Sequence, residues 1–176
     1  MPRTADLKRL TLRDSLWGDA EKLVLKPDEK GWWKAPRTLP LVLTLTRDKR
    51  ITGNLDCSAV YLELWSRDFG QGIVEIFDEA EHAFAAGYVG DRAVRSWRER
   101  VRKLAEADFL RIARKPNREI GYVLLLDPYT VVQALRDKEK IGDTWWSFFI
   151  ARLQAVGVSL PMQESAPLLD LSPMTG

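Results

Sequence analysis

The chain has 176 residues, of which 45% are hydrophobic and 30% are charged, so it suits one domain of ordinary size with a core and a well-solvated surface. Its formal net charge is only +2, so any role in binding nucleic acid must rest on a local concentration of positive charge. The single cysteine, Cys57, excludes an intramolecular disulfide, and with the single histidine, His82, it leaves too few ligands for a closed zinc site.

The start of the chain does not resemble a signal peptide, because Arg3, Lys8 and Arg9 interrupt any apolar region. No apolar run approaches the ~20 residues that are needed to span a bilayer. We therefore expect a cytoplasmic protein with no membrane partner, and a single cysteine suits that reducing compartment.

Residues 1–37 are predicted to form an N-terminal arm. The segment is polar and has no clear period, apart from a short amphipathic piece around Leu16 to Leu25. Two adjacent tryptophans, Trp32 and Trp33, usually pack down onto a domain, so we expect the arm to wrap the core.

Residues 38–157 are predicted to form the main domain, which begins with a helix. Thr38 is placed as the helix cap, and Pro40 lies in the first turn, where its missing N–H costs nothing. The β-branched residues leave a strand as the alternative. Asp48 to Asp56 is predicted to be a loop. The residues expected to be buried in the helix are Leu39, Leu41 to Leu43 and Leu45.

The pattern then predicts a helix, a turn and a strand. Ser58 is placed to cap the helix, and Arg67 lies at its end. The turn is at Gly70 to Gly72. The strand is the short apolar run from Ile73 to Phe77.

A second short helix and a turn follow the strand. Asp78 is predicted to cap this helix, with Glu81 three residues on in a capping-box arrangement. Gly87 is placed to end the helix in the left-handed conformation, as the first residue of a four-residue turn, 87–90. The predicted inner face consists of Ala80, Ala83 and Phe84.

The next helix, from Asp91 to Asp108, is strongly amphipathic. Asp91 is predicted to cap it. The apolar stripe, spaced three, four and three residues apart, consists of Val94, Trp97, Val101 and Leu104. At 100° per residue the opposite face holds Arg92, Arg95, Ser96, Glu99 and Lys103, with Arg102 near its edge. Paired strands at 109–114 and 121–126 should follow, closed by a tight turn from Lys115 to Arg118.

Two further helices complete the predicted fold. Asp127-Pro128 starts a helix from Tyr129 to about Arg136, and Gly142-Asp143 starts another from Thr144 to Val156. The last helix is apolar on nearly every side, which indicates either a core helix or the interface of a homodimer. We favour the dimer, with an interface formed by Trp145, Trp146, Phe149 and Leu153. Residues 158–176 are predicted to be a disordered tail.

From about Ser58 to Asp127 the order of helix, strand, helix, turn, helix and hairpin resembles a winged helix-turn-helix. The fold class is therefore expected to be α+β, mostly α, with extra N- and C-terminal helices around the winged helix. The segment from Gly87-Tyr88 through Arg92 to Trp97, followed by a leucine-rich strand that ends in Asp127-Pro128, looks like small regulators or replication and partition accessories of bacterial plasmids and integrative elements. The resemblance implies sequence-specific binding of double-stranded DNA.

The local charge agrees with that implication. From Asp91 to Arg118 there are ten basic and four acidic residues, a net charge of +6, whereas the whole chain carries +2. Phosphate contacts of such a patch give affinity and strong salt dependence. Glu99 is able to accept from a cytosine amino group or to pair with a neighbouring arginine. The predicted DNA-binding residues are Arg92, Arg95, Ser96, Glu99, Arg102, Lys103, Arg114, Lys115, Asn117 and Arg118.

Two other interpretations remain. A charged face on an amphipathic helix is often only a solvated surface, and winged helices also serve as protein-interaction modules. An enzyme is not expected, because the sequence has no phosphate loop, nucleotide fingerprint or nucleophile elbow, and we predict no catalytic residue, cofactor or metal site. His82 is interpreted as a helix-surface residue and Cys57 as a structural thiol.

Overall fold

The computed structural model describes residues 4–17, 20–23, 31 and 33–160. The chain divides into two compact units, Met1–Trp33 and Lys34–Gly176. Trp32 and most of the predicted tail, residues 161–176, lie outside the described residues, and so does part of the arm. The packing of the arm and the disorder of the tail therefore stay predictions.

The first unit is more helical than its sequence pattern indicated. It contains α1 (Thr4–Leu16) and α2 (Ala20–Leu23), where only a short amphipathic piece was expected. Leucines are exposed on α1 at Leu7, Leu12 and Leu16. They do not form one narrow buried stripe, so hydrophobic periodicity did not reveal the helix.

The second unit begins with α3 (Leu39–Leu45), which confirms the helix and rules out the strand. Three of the predicted residues, Leu39, Val42 and Leu45, are buried, and the others are half-buried. Thr38 precedes the helix, but its side chain does not cap it. Its hydroxyl instead lies 3.3 Å from the hydroxyl of Tyr129, a contact between distant segments.

The predicted loop at 48–56 is wrong in its first half, which forms the short helix α4 (Lys49–Thr52). The Asp48 carboxylate accepts the Arg50 backbone N–H at 2.9 Å and so caps this turn. Gly53, with φ of +65°, ends it. Four residues are too few for an apolar period, so only the cap and the glycine marked the helix.

The helix α5 (Ser58–Ser66) has a different cap from the one predicted. Asp56 Oδ1 accepts the backbone N–H of Ser58 at 2.9 Å and its hydroxyl at 2.6 Å. The hydrogen bond from the Ser58 hydroxyl lowers the pKa of Asp56. Cys57 is fully buried, and burial raises the pKa of its thiol to about 11, which confirms the interpretation as a structural residue.

The cap of the next helix, α6 (Glu79–Ala85), is confirmed, since Asp78 accepts the Ala80 N–H at 2.9 Å. The predicted inner face is largely wrong. Ala83 is buried, but Ala80 and Phe84 are exposed. The buried residues of this segment are His82, Ala83 and Ala86.

The connection to α7 (Ala93–Glu106) spans 86–92 and is longer than the predicted four-residue turn. Gly87 and Gly90 have φ of +90° and +81°, which confirms a left-handed residue after α6. Asp91 does not cap α7, because the helix starts one residue later than predicted, after Arg92. The apolar stripe is confirmed: Trp97, Val101 and Leu104 are fully buried, and Val94 is half-buried.

Three strands form one antiparallel sheet: β1 (Ile73–Glu75), β2 (Leu110–Lys115) and β3 (Arg118–Leu125). Their order is β1-β3-β2. Val123 of β3 is aligned with Val74 of β1 and with Ile112 of β2 in a row that faces the core. The ladder is irregular near the turn, where a Cβ atom on Gly121 would lie 2.6 Å from the backbone nitrogen of Lys115. Only glycine permits that approach.

The last two helices of the described residues are α8 (Pro128–Asp137) and α9 (Asp143–Val156). Asp127 caps α8 as predicted, accepting the Tyr129 N–H at 2.9 Å. The fold is therefore α+β, with helices around a small sheet. None of the described helices is long and apolar enough to cross a membrane.

The apolar helix α9 packs into the core of its own unit. Phe149 and Leu153 are buried within the chain, which corrects their assignment to a dimer interface. Trp145 is half-buried, stacks on Phe149 with ring centroids 5.0 Å apart, and donates its Nε1–H to Thr44 Oγ1 at 2.7 Å. Trp146 is also half-buried. Both tryptophans contact their own chain, which is why α9 needed apolar residues on so many sides.

Candidate nucleic-acid interface

The helix α7 has one buried and one exposed face. Its buried stripe packs against α5, α6 and β2. The exposed stripe follows the same three- and four-residue spacing on the opposite side of the helix. Its members are Arg92, Arg95, Glu99 and Arg102.

The N-terminal half of this stripe carries two accessible arginines. Arg92 is exposed, and its side chain has no hydrogen bond or ion pair with any residue that the structure describes. The side chain of Arg95 is 80% exposed, and its Nε lies 3.1 Å from Glu99 Oε1. Of the two roles considered for Glu99, pairing with a neighbouring arginine is thus the one present in the free chain. Ser96 is half-buried, and its carbonyl oxygen accepts from Arg100 at 3.0 Å.

The C-terminal half of the stripe is occupied by ion pairs. Arg102 contacts Glu119 of β3 at 2.5 Å, and this pair joins the helix to the hairpin. Lys103 is half-buried and pairs with Glu106 on its own helix at 2.5 Å. Arg102 and Lys103 are therefore available to a ligand only if these ion pairs break.

Two of the predicted DNA-binding residues, which flank the hairpin turn, make contacts within their own unit. Lys115 pairs with Glu75, and its Nζ lies over the rings of Phe77 and Tyr122, 4.7 and 4.8 Å from their centroids. Arg118 donates to the carbonyl oxygens of Ile76 and Phe77 at 2.6 Å each. These contacts hold the turn end of the hairpin against β1 and the segment that follows it.

The exposed tip of the hairpin is smaller than predicted. Asn117 is exposed at the turn and has φ of +61°, a backbone conformation that asparagine tolerates better than most residues. Arg114 is also exposed and forms no ion pair within the described part of the chain. The sites that remain open for a ligand are thus Arg92 and Arg95 on the helix and Arg114 and Asn117 on the hairpin.

The tertiary structure lowers the net charge of this surface. Arg98 donates from Nε to both carboxylate oxygens of Glu79, at 3.0 and 3.1 Å, and these hydrogen bonds raise the pKa of Arg98. Glu75, Glu79 and Glu119 all lie outside residues 91–118 but pair with basic residues inside it. With these three acids the count becomes ten bases and seven acids, so the net charge is +3 instead of +6.

A buried polar cluster beneath the interface was missed by sequence reasoning. His82 was expected at the helix surface, but only 4% of it is exposed, and its Nδ1 lies 3.0 Å from Glu63 Oε1. Arg67 Nε donates to the same oxygen at 2.7 Å. An ionised carboxylate only accepts, so Nδ1 carries the proton. The signal available in the sequence was the four-residue spacing of His82 and Ala86, which puts both on the buried face of α6.

The cluster positions α6 between two other helices. Glu63 belongs to α5, and the His82 ring lies against Trp97 of α7 with centroids 5.6 Å apart. Among the described residues, no group of three or more His, Cys, Asp or Glu side chains is arranged to hold a metal ion. Comparison with known proteins found no matching family model, no similar curated protein and no similar solved structure.

Proposed function

We propose that the second unit is a winged helix and that it binds double-stranded DNA sequence-specifically, as a transcriptional regulator or as an accessory protein of a plasmid or other mobile element. The observation that carries the proposal is the order α5, β1, α6, α7, β2, β3 combined with the sheet order β1-β3-β2. This arrangement supports α7 as the recognition helix and the β2–β3 hairpin beside it as the wing. The exposed arginines of α7 supply the contact surface.

In this proposal the two parts of the surface have different tasks. The N-terminal half of α7 enters the major groove, as recognition helices do, and Arg92 and Arg95 bond guanine edges. Arg114 and Asn117 on the hairpin contact phosphates or the minor groove. Lys115 and Arg118 keep the hairpin in place for those contacts.

The modest charge of the surface has a measurable consequence. Because Arg92 and Arg95 are assigned to bases, Arg114 and one further cation would neutralise about two phosphates, so log K should fall with log salt with a slope of about −2. A protein that used all ten basic residues would show a slope of about −9. The expected binding is therefore moderately salt-dependent and relies on base contacts for tightness.

The experiment is selection of duplexes from a random pool at two salt concentrations, followed by binding of the selected duplex to variants. Arg92→Ala with Arg95→Ala should abolish specific binding, because each good bidentate arginine–guanine pair contributes ~1–3 kcal/mol. Arg37→Ala with Arg47→Ala is the matched control, since it removes two exposed charges outside both α7 and the hairpin. Unchanged affinity and salt slope in the α7 variant would overturn the proposal.

A second candidate, a protein-interaction module, is favoured by the outer face of the sheet. Ile73 and Leu124 are aligned across β1 and β3, and both are exposed. Phe77 is exposed just beyond β1. Absence of duplex binding at low salt, together with a stable protein complex that Leu124→Lys breaks, would support this function instead.

A homodimer remains part of the proposal, because a symmetric dimer doubles the contacts to a palindromic site. Burial of Phe149 and Leu153 means that other residues must form it. On α9 the large hydrophobic side chain that is exposed is Phe148. Sedimentation of the wild type and of Phe148→Ser measures whether a dimer exists and whether α9 contributes to it.

A further inference from the structure

The ion pair between Arg102 and Glu119 differs from the other contacts of the exposed stripe. The pair Arg95–Glu99 lies within α7, whereas Arg102–Glu119 joins two elements that are both expected at the DNA. The side chains of Arg102 and Glu119 are 47% and 66% exposed. The ion pair is therefore open to solvent, and a phosphate can compete with the carboxylate for this guanidinium.

Arg102 is suitably placed to continue the contacts of the N-terminal arginines. It lies seven residues after Arg95, two turns further along the same exposed stripe. Arg–phosphate contacts are frequently bidentate and charge-assisted, and they are stronger than an exposed ion pair, which contributes little. Exchange of the Glu119 carboxylate for a phosphate is therefore favourable once a duplex is close.

Glu119 also opposes that approach. Its side chain lines a polar cleft of about 310 Å³, together with Glu79, Arg98, Asn117 and Arg118. Both acids of the cleft pair with an arginine of α7. A phosphate at the cleft thus meets a carboxylate in front of each arginine and is repelled until the carboxylate moves away.

We propose that Glu119 is a gate on the phosphate-binding surface. In the free protein it holds Arg102, and on binding Arg102 leaves Glu119 and contacts a DNA phosphate. This inference rests on the proposed DNA-binding function. Its consequence is a cost to every duplex that uses Arg102, so only a duplex that also satisfies Arg92 and Arg95 binds tightly.

The test compares Glu119→Gln with Glu106→Gln by titration of the full chain with the selected duplex and with a scrambled duplex. Both variants remove one carboxylate from an ion pair, and the side chains are similarly exposed, at 66% and 64%. Glu119→Gln should bind the scrambled duplex ~3- to 10-fold more tightly, the range for losing one exposed ion pair and one repulsive charge. Glu106→Gln should change it less than ~2-fold.

A third variant, Arg102→Ala, shows whether Arg102 leaves Glu119 and contacts a DNA phosphate in the complex. If Arg102 binds a phosphate in the complex, its removal should reduce the salt slope by about 1. An unchanged slope, or equal effects of Glu119→Gln and Glu106→Gln, would overturn the gate. If the wild type still bound its selected duplex through Arg92 and Arg95, the proposed function would stand. If neither the wild type nor Glu119→Gln bound any duplex at low salt, both the gate and the proposed DNA-binding function would be overturned.

Discussion

Two groups of charged side chains near α6 and α7 differ mainly in burial. Glu63, His82 and Arg67 form the inner group, where the Glu63 side chain is 5% exposed. Arg102 and Glu119 belong to the outer group, where both side chains are open to solvent. Pairing of a carboxylate with a basic side chain therefore has a different effect in the two groups. Breaking a buried pair leaves an uncompensated charge, whereas an exposed pair is screened by water and salt.

This difference separates the residues that hold the fold from those available to a ligand. The inner group connects α5 to α6, and its His82 ring packs against Trp97 of α7. The outer group neutralises part of the basic surface without holding the core together. The comparison makes three predictions, each with a different expected loss in the free energy of unfolding.

The largest effect is expected from Glu63→Ala. The substitution leaves the Nδ1–H of His82 without its buried acceptor, whereas the partly exposed Arg67 keeps Glu81 as a partner at 2.9 Å, so the free energy of unfolding should fall by ~1–3 kcal/mol. Urea unfolding followed by tryptophan fluorescence measures the loss. Glu63→Gln, which keeps the volume and one acceptor, is the control and should lose less. A loss below ~1 kcal/mol would mean that the inner group does not hold α5 to α6.

An intermediate effect is expected from Asp56→Ala, which removes the exposed cap of α5. Loss of a helix cap typically costs ~1 kcal/mol at neutral pH. The folded-state pKa of Asp56 lies below its usual value near 3.8, so its contribution is present above that value and is lost as the pH falls through the lowered pKa. Urea midpoints of wild type and variant should therefore converge in acid. Midpoints that move apart as the pH falls would contradict the assigned cap.

The smallest effect is expected from Glu119→Ala. An exposed pair contributes ~0–1 kcal/mol, so we expect a change in the free energy of unfolding below ~0.5 kcal/mol. The same urea experiment measures it, with Glu63→Ala as the contrasting variant. A loss as large as that of Glu63→Ala would show that Arg102–Glu119 holds the hairpin, and the division into an inner and an outer group would be wrong.

The features that sequence reasoning predicted correctly depend on neighbours within one or two turns. Asp78 and Asp127 cap their helices through N–H groups two residues on. The stripe from Trp97 to Leu104 follows from helix geometry alone. The short helix at 49–52 was missed because four residues carry no period, and the late start of α7 was missed because no side chain caps that helix.

The errors at the candidate site have a different physical cause, which is distance along the chain. Lys115 pairs with Glu75 from 40 residues away, and Arg98 pairs with Glu79 from 19 residues away. Counting charges along residues 91–118 could not include these acids. His82 was misplaced for the same reason, since its carboxylate partner lies 19 residues before it on another helix.

The sequence by itself determined the helix α7, its two faces, the hairpin after it and the caps of α6 and α8, because these depend on local hydrogen bonds and on a 3.6-residue period. Only the tertiary structure decided which cations on that surface are open. It brought Glu75, Glu79 and Glu119 onto the basic residues and placed Phe149 and Leu153 in the core. Ion pairing and burial depend on distance in space, and that distance is determined by packing between elements.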